Sequence, residues 1–226
     1  MSRDIKFFVD GEYYHIYNRG VEKRKIFLSK RDYKRFLILF YLCNSTEPVH
    51  ILMQDRQGLT LTNMLKTKRK NTLVDICVYC VMPNHFHLII KEKAGVDGKS
   101  GISKFMQKLL TAYTMYFNIK NERTGSLFQG TFKAKHIDRN EYFQYLISYI
   151  HLNPIKLFEP TWKETGITDK KAAEIFLRKY QYSSYLDYCG EERPENILLN
   201  KNVLPEYYES VNDFKAMTDI WLSLDK

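Results

Sequence analysis

A chain of 226 residues with 44% hydrophobic content is long enough for one domain of moderate size with an appendage, and too apolar to remain disordered. Lys+Arg 35 against Asp+Glu 26 leaves a formal charge of +9, which favours a polyanionic partner, nucleic acid before acidic membrane. No apolar run approaches the roughly 20 residues of a membrane span, which excludes a transmembrane helix.

After a short lead-in, Tyr13 to Gly20 predicts a strand closed by an Asn18-Arg19-Gly20 turn. Its alternation puts His15 and Tyr17 on one face, Tyr14 and Ile16 on the other. A basic loop with Lys23, Arg24 and Lys25 follows, and Ser29 is placed to cap a helix over Lys30 to Cys43. From Asn44 to Leu73 the periodicity is weak, with room for a short strand before a cationic run. Lys68, Arg69 and Lys70 of that run are either a solvated loop or phosphate contacts.

Thr72 to Val81 is strongly β-like. It contains Cys77 and Cys80, which strand alternation would send to opposite faces, so they read as packing residues rather than a zinc pair. A turn at Pro83-Asn84 then leads into a strand over His85 to Ile90, completing a hairpin. His85 and His87 leave that strand from one face, about 7 Å apart, while Phe86, Leu88 and Ile90 leave from the other. Two imidazoles presented in parallel form half of a metal site. The alternative is a half-polar strand face whose histidines are satisfied by hydrogen bonds.

A helix is predicted over Ile102 to Lys120, with Ser103 at its start, then an extended segment over Leu127 to Ile137. A further helix runs over Asn140 to Leu152, capped by Asp138 or Asn140 and stopped by Pro154. In the tail, Asp169 to Tyr180 and Glu206 to Leu224 read as helices, separated by an aromatic turn at Tyr182 to Tyr188. The order is βαββαβ. It predicts an α+β fold of the split ferredoxin-like kind, with a central antiparallel sheet, helices mainly on one face and a helical C-terminal extension. Domain boundaries fall at 1–160 for the main domain and 161–226 for the extension packed on it.

On the helix before Pro154, Tyr149 and Asn153 are four apart and share a face. An Asn carbonyl oxygen suits a third ligand beside two imidazoles, and a tyrosine one turn away suits a nucleophile on a metal-held phosphate. Tyr145 lies on that same face, and Tyr113 and Tyr116 are rivals on the preceding helix, so the nucleophile stays open at this level. With 17 tyrosines in the chain, most are expected in packing, though exposed ones beside cations would suit stacked bases.

The segments Tyr14-His-Ile-Tyr-Asn-Arg-Gly20, Met82-Pro-Asn-His-Phe-His-Leu88, Gly125-Ser-Leu-Phe-Gln-Gly130 and Tyr149-Ile-His-Leu-Asn-Pro-Ile155 occur in that order. Together with Tyr182-Ser-Ser-Tyr185, they resemble the REP-associated tyrosine transposases of the HUH nuclease superfamily, over roughly residues 10 to 190. The resemblance implies a single-strand DNA endonuclease and strand transferase that works through a 5′-phosphotyrosine intermediate. It implies Tyr149 as the catalytic residue, His85, His87 and Asn153 as ligands of Mg²⁺ or Mn²⁺, and no need for ATP. The insertion-sequence branch usually has Gln where this chain has Asn153, an arm longer by one methylene.

DNA, single-stranded or hairpin-flanked, would be held by Lys23, Arg24, Lys25, Lys68, Arg69, Lys70, Arg123, Lys133 and Lys135. A tyrosine hydroxyl is protonated at neutral pH, so its activation needs the metal, a water or a neighbour; His151, two positions along the helix, faces away. The rival readings are a non-catalytic nucleic-acid-binding module of ferredoxin-like fold and a metal-dependent hydrolase using water. Four cysteines without a secretory leader lead to the expectation of a reducing cytoplasm, and the assembly is expected to be a monomer or homodimer.

Overall fold

The computed structural model describes residues 7–48, 69, 71–93, 95, 99–205 and 214. Lys68, Lys70, most of the weakly patterned stretch before Thr72, and the Glu206 to Leu224 helix apart from Phe214 lie outside the described residues. Four strands, β1 (Tyr13–Arg19), β2 (Val74–Met82), β3 (His85–Glu92) and β4 (Lys133–His136), form one sheet in the order β2-β3-β1-β4. Every neighbouring pair is antiparallel. Helix α1 (Lys30–Cys43) joins β1 to β2 and α2 (Gly101–Lys120) joins β3 to β4, which is the expected split βαββαβ plan.

Local chemistry sets both helix starts. The carboxylate of Asp32 accepts the backbone N–H groups of Leu28 and Ser29, each at 2.9 Å, at the entry to α1. For α2 the cap is Ser100 rather than Ser103: its hydroxyl accepts from the Ser103 N–H at 3.0 Å. Glu92, at the end of β3, accepts from the N–H groups of Gly101 and Ile102 at 2.5 and 3.0 Å, tying the helix start to the strand end. Only glycine fits at position 101, because a Cβ there would lie 2.0 Å from the Leu73 carbonyl oxygen.

Ile16, Phe86, Leu88 and Ile90 on one sheet face pack against Phe36, Phe40, Phe105, Leu109 and Tyr113 of α1 and α2. Each such side chain, fully buried, contributes about 1.5–3 kcal/mol of hydrophobic stabilisation. The second face carries a core of its own. Helix α3 (Asn140–Leu152) lays Leu146, Ile147 and Ile150 beside Val78, Cys80 and Ile89. The short helix α4 (Trp162–Thr165), α5 (Lys170–Lys179) and α6 (Tyr185–Tyr188) add Trp162, Leu177 and Tyr185 to it. That face is therefore not wholly open, and a cleft remains at the end where β1 finishes and β3 begins.

Four local expectations are corrected. The last strand is only Lys133–His136, because Gly130 at φ +71° turns the chain after an isolated bridge between Gly20 and Phe128. Residue Arg139 occupies the α3 cap without a side-chain bond, in place of Asp138 or Asn140. Pro154 does not stop the chain but opens a 3₁₀ turn, Asn153–Leu157, where its missing N–H is not needed. Finally, the β2–β3 register shifts between Ile76 and Val78, so Cys77 and Cys80 enter the same core instead of opposite ones. Both remain free, buried thiols, and burial pushes the Cys77 thiol up to about 12, consistent with packing.

As the sheet's edge strand, β2 would expose unpaired backbone. The Tyr182-Ser183-Ser184 segment covers it: Val81 N–H donates to the Tyr182 carbonyl at 2.9 Å, and Ser184 N–H to the Tyr79 carbonyl at 2.9 Å. Behind it His151 is fully buried, its Nε2 2.7 Å from the Ser184 hydroxyl, facing away from Tyr149 as its helix position requires. Burial lowers the His151 pKa to about 3. A histidine kept neutral in the fold contributes stability that is complete above its unfolded value of about 6.5 and lost as pH falls toward the folded value. By pH 5 that loss is about 2 kcal/mol for this group. We expect His151→Gln, which keeps a neutral hydrogen-bonding side chain, to reduce the pH 7-to-5 loss by that amount in urea unfolding.

Candidate active site

Three of the sequence motifs meet at one end of the sheet through backbone bonds. Gly20 N–H donates to the Asn84 carbonyl at 2.8 Å, Ile26 N–H to the Pro83 carbonyl at 2.8 Å, and Gln129 N–H to the Arg19 carbonyl at 2.8 Å. Gly20 is required by this close approach, since a Cβ would lie 2.4 Å from the Arg24 carbonyl oxygen. Asn18 joins two of the loops: its Oδ1 accepts from Arg19 N–H at 2.8 Å and its Nδ2 donates to the Gly130 carbonyl at 3.3 Å. Beneath them opens a cleft of about 810 Å³ whose walls include Tyr17, Arg19, Lys23, Lys25, His85, His87, Gln129, Lys133 and Lys156.

His85 and His87 leave β3 on the same face, ring centroids 5.1 Å apart. In each ring Nδ1 is engaged: that of His85 lies 2.7 Å from Asn84 Oδ1, and that of His87 lies 2.9 Å from Nε2 of His15. That leaves Nε2 as the ring nitrogen open to a ligand in both. Burial lowers the pKa of His85 to about 4 and holds that of His87 well below its ordinary value, so both imidazoles are neutral at physiological pH, the form that ligates metals. For His15, burial and then the Lys135 charge lower the value to about 4.

His15 is one site residue that sequence reasoning missed. The alternation of β1 placed it on the correct face. Its meeting with His87, however, is a diagonal contact set by a register that pairs Tyr17 with His87 and His15 with Ile89.

From the facing helix come Tyr149 and Asn153. The Tyr149 ring stands edge-on to His87, centroids 5.8 Å apart at 82°, and Lys163 Nζ lies 3.7 Å from its centre on another side. Asn153 keeps helical backbone angles, so it points the same way as Tyr149. Its amide rests against His85, near enough to favour the protonated ring but without hydrogen-bond alignment. Both Oδ1 and Nδ2 are buried with no hydrogen-bond partner. A buried amide with nothing to bond is costly unless a ligand completes it.

Among the rival tyrosines, Tyr113 donates its hydroxyl to the Ile26 carbonyl at 2.6 Å and Tyr116 to Asp32 at 2.9 Å, both on the opposite sheet face. Tyr145 stacks on Tyr149 with centroids 5.8 Å apart and is 42% exposed.

The basic residues divide. Lys23, Lys25 and Lys133 line the cleft, and Lys135 lies on the same face of β4, its Nζ 4.1 Å from the Tyr142 ring centre. Arg24 pairs with Glu22 at 2.9 Å outside it. Arg69 is spent on the fold, stacked at 4.0 Å on Tyr41 and bonded to the Tyr41 and Ile197 carbonyls. Arg123 likewise fastens the turn after α2, bonded to Asn118 Oδ1 at 2.5 Å and the Ser126 carbonyl at 3.0 Å. The cleft gains two cations that the pattern did not single out, Arg19 and Lys156; Arg19 is paired with Gln129 across the motif junction.

Among the described residues no group of three or more His, Cys, Asp and Glu side chains could hold a metal ion; the donors gathered here are two histidines and an amide. Nor is any described helix long and apolar enough to cross a membrane. Comparison with known proteins gives a family match: the model of the IS200-like transposases aligns with residues 9–153, well over half of the chain. A solved structure of a REP-associated tyrosine transposase bound to a REP hairpin is similar at 12% identity and a TM-score of 0.48, covering 86% of this chain and 90% of that one. No curated protein matches. The chain thus belongs to the family of IS200-like transposases.

Proposed function

We propose that the protein nicks and rejoins single-stranded or hairpin-flanked DNA, with Tyr149 as nucleophile and the phosphate held over His85, His87 and Asn153. The observation that carries this reading is the state of those three donors. Both imidazoles are neutral with Nδ1 already engaged, and the Asn153 amide beside them is buried and unsatisfied. This set fits a divalent cation such as Mg²⁺ or Mn²⁺, which when bound would neutralise charge on the scissile phosphate. His15 would hold the His87 ring in the orientation that turns Nε2 toward the ion.

In the reaction, Tyr149 Oη attacks phosphorus as its proton passes to solvent, and the bond to the 3′ oxygen breaks. The DNA 5′ phosphate stays on the tyrosine, and the departing 3′ oxygen takes up a proton. Joining reverses these steps with an incoming 3′-hydroxyl, so no external energy source is required. Arg19, Lys23, Lys25, Lys133 and Lys135 would contact flanking phosphates along the cleft. The four free cysteines accord with a reducing cytoplasm. Residues 1–160 would form the catalytic unit, with 161–226 its extension, and the unit would act as a monomer or homodimer.

The test is incubation with Mn²⁺ and labelled single strands from DNA flanking the gene, followed by a denaturing protein gel. A covalent adduct is expected, abolished by EDTA and reduced about 100-fold or more in His87→Ala. Nicked DNA without an adduct would support water as nucleophile. Tight binding without cleavage, unchanged by His87→Ala, would leave a binding module.

A further inference from the structure

The family match ends at Asn153, yet the chain beyond it turns back over the nucleophile. The 3₁₀ turn Asn153–Leu157, anchored by buried Pro154 and Ile155, brings Lys156 into the cleft wall. Helix α4, anchored by buried Trp162, then sets Lys163 against the Tyr149 ring with Nζ 3.7 Å from its centre. Because the Tyr149 ring meets His87 in the cleft that Lys156 lines, Lys163 and Lys156 approach the same end of the cleft from the chain beyond Asn153.

Gathering two cations beside a histidine pair is unfavourable, because like charges repel more strongly where water is partly excluded. A phosphate bound at this end of the cleft would turn that repulsion into attraction. Lysine suits the task, since its compact charge and rotating donors follow a phosphate without demanding the planar fit of an arginine. A nucleobase would not call for two cations at one point. The remaining cleft cations Arg19, Lys23, Lys25 and Lys133 lie where neighbouring phosphates of the same strand would run.

We infer that Lys156 and Lys163, supplied by the chain beyond the family-matched region, form the binding site for the DNA phosphate that Tyr149 attacks. This rests on the nicking activity proposed above. Lys163 lies against the Tyr149 ring, so a phosphate bound to it would also be held against the nucleophile.

The experiment measures, for wild type and the Lys156→Gln/Lys163→Gln variant, single-strand binding across a salt series and the rate of adduct formation at saturating DNA. The variant is expected to lower the slope of log affinity against log salt by about 1. It should slow adduct formation about 100-fold while KM changes far less. Lys163→Arg should restore most of the rate, since it keeps the charge against the ring, and melting curves check that each variant folds.

Wild-type rate and slope in the double Gln variant would overturn the lysine site while leaving the nicking activity standing. A slope lowered without any loss of rate would make the pair a flanking contact and equally overturn the proposal. If wild type binds DNA but forms no adduct, the nicking reading falls, and with it the assignment of this phosphate as the attacked one.

Discussion

Tyr149→Phe is expected to abolish the covalent protein–DNA adduct, by at least about 1,000-fold, in a protein that folds normally. Phenylalanine keeps the ring that meets His87, Tyr145 and Lys163. Only the attacking oxygen is removed. Binding of the same oligonucleotide should persist, because the cleft cations are untouched. The informative companion is Tyr145→Phe, since Tyr145 stacks on Tyr149 one turn earlier and is the more exposed of the two. Burial raises its pKa, so it is no readier to ionise than an ordinary tyrosine. An adduct lost in Tyr145→Phe and retained in Tyr149→Phe, on a denaturing gel, would move the nucleophile by one turn. Loss of adduct in neither would place it on another side chain altogether.

Asp32→Asn should produce the largest loss of stability among single polar substitutions, about 3 kcal/mol and about 10 °C in melting temperature. Asp32 is fully buried at the start of α1 and gathers donors from the segment before that helix and from α2. Leu28 and Ser29 donate backbone N–H groups, Tyr116 donates its hydroxyl at 2.9 Å, and Lys120 of α2 lies 2.5 Å away. The neutral amide leaves the Lys120 charge without its partner and turns an N–H₂ toward groups that are themselves donors. Lys120 retains partial access to water, which keeps the loss toward the lower end for a broken buried pair.

The pH dependence of that loss follows from the carboxyl. Burial alone would raise its pKa, but the bonds from Lys120, Tyr116, Leu28 and Ser29 outweigh it and hold the value below the usual 3.8. A depressed folded value means that the stabilisation is complete above the unfolded value and disappears as pH falls through the folded one. The gap between wild type and Asp32→Asn should therefore be constant from pH 7 to 5 and narrow below about pH 4. Urea unfolding across that range checks it; a gap that instead widened in acid would mean that Asp32 is not held as the anion.

Much of this molecule is legible in the residues alone, because the relevant physics is local. Alternation in Tyr13–Arg19 and His85–Glu92 decides which side chains face the helices and which face the cleft. The helical repeat fixes Tyr149 and Asn153 on one side of α3, and Ser29 with Asp32 marks where α1 begins. What remained beyond reach depended on register and on distant partners. One extra residue at Cys77 reverses the faces of everything before it in β2, and no propensity announces such a bulge. The diagonal meeting of His15 with His87 exists only once β1 and β3 are paired. Arg69 and Arg123 looked like phosphate contacts because charge is visible in a sequence, whereas the carbonyls and rings that engage them are not. Lys163 reaches Tyr149 for the complementary reason: Trp162 must first be buried against α3 before its neighbour can lie over the ring. Periodicity is a property of the chain, but the partner across a sheet or cleft is decided only by the tertiary packing that brings it there.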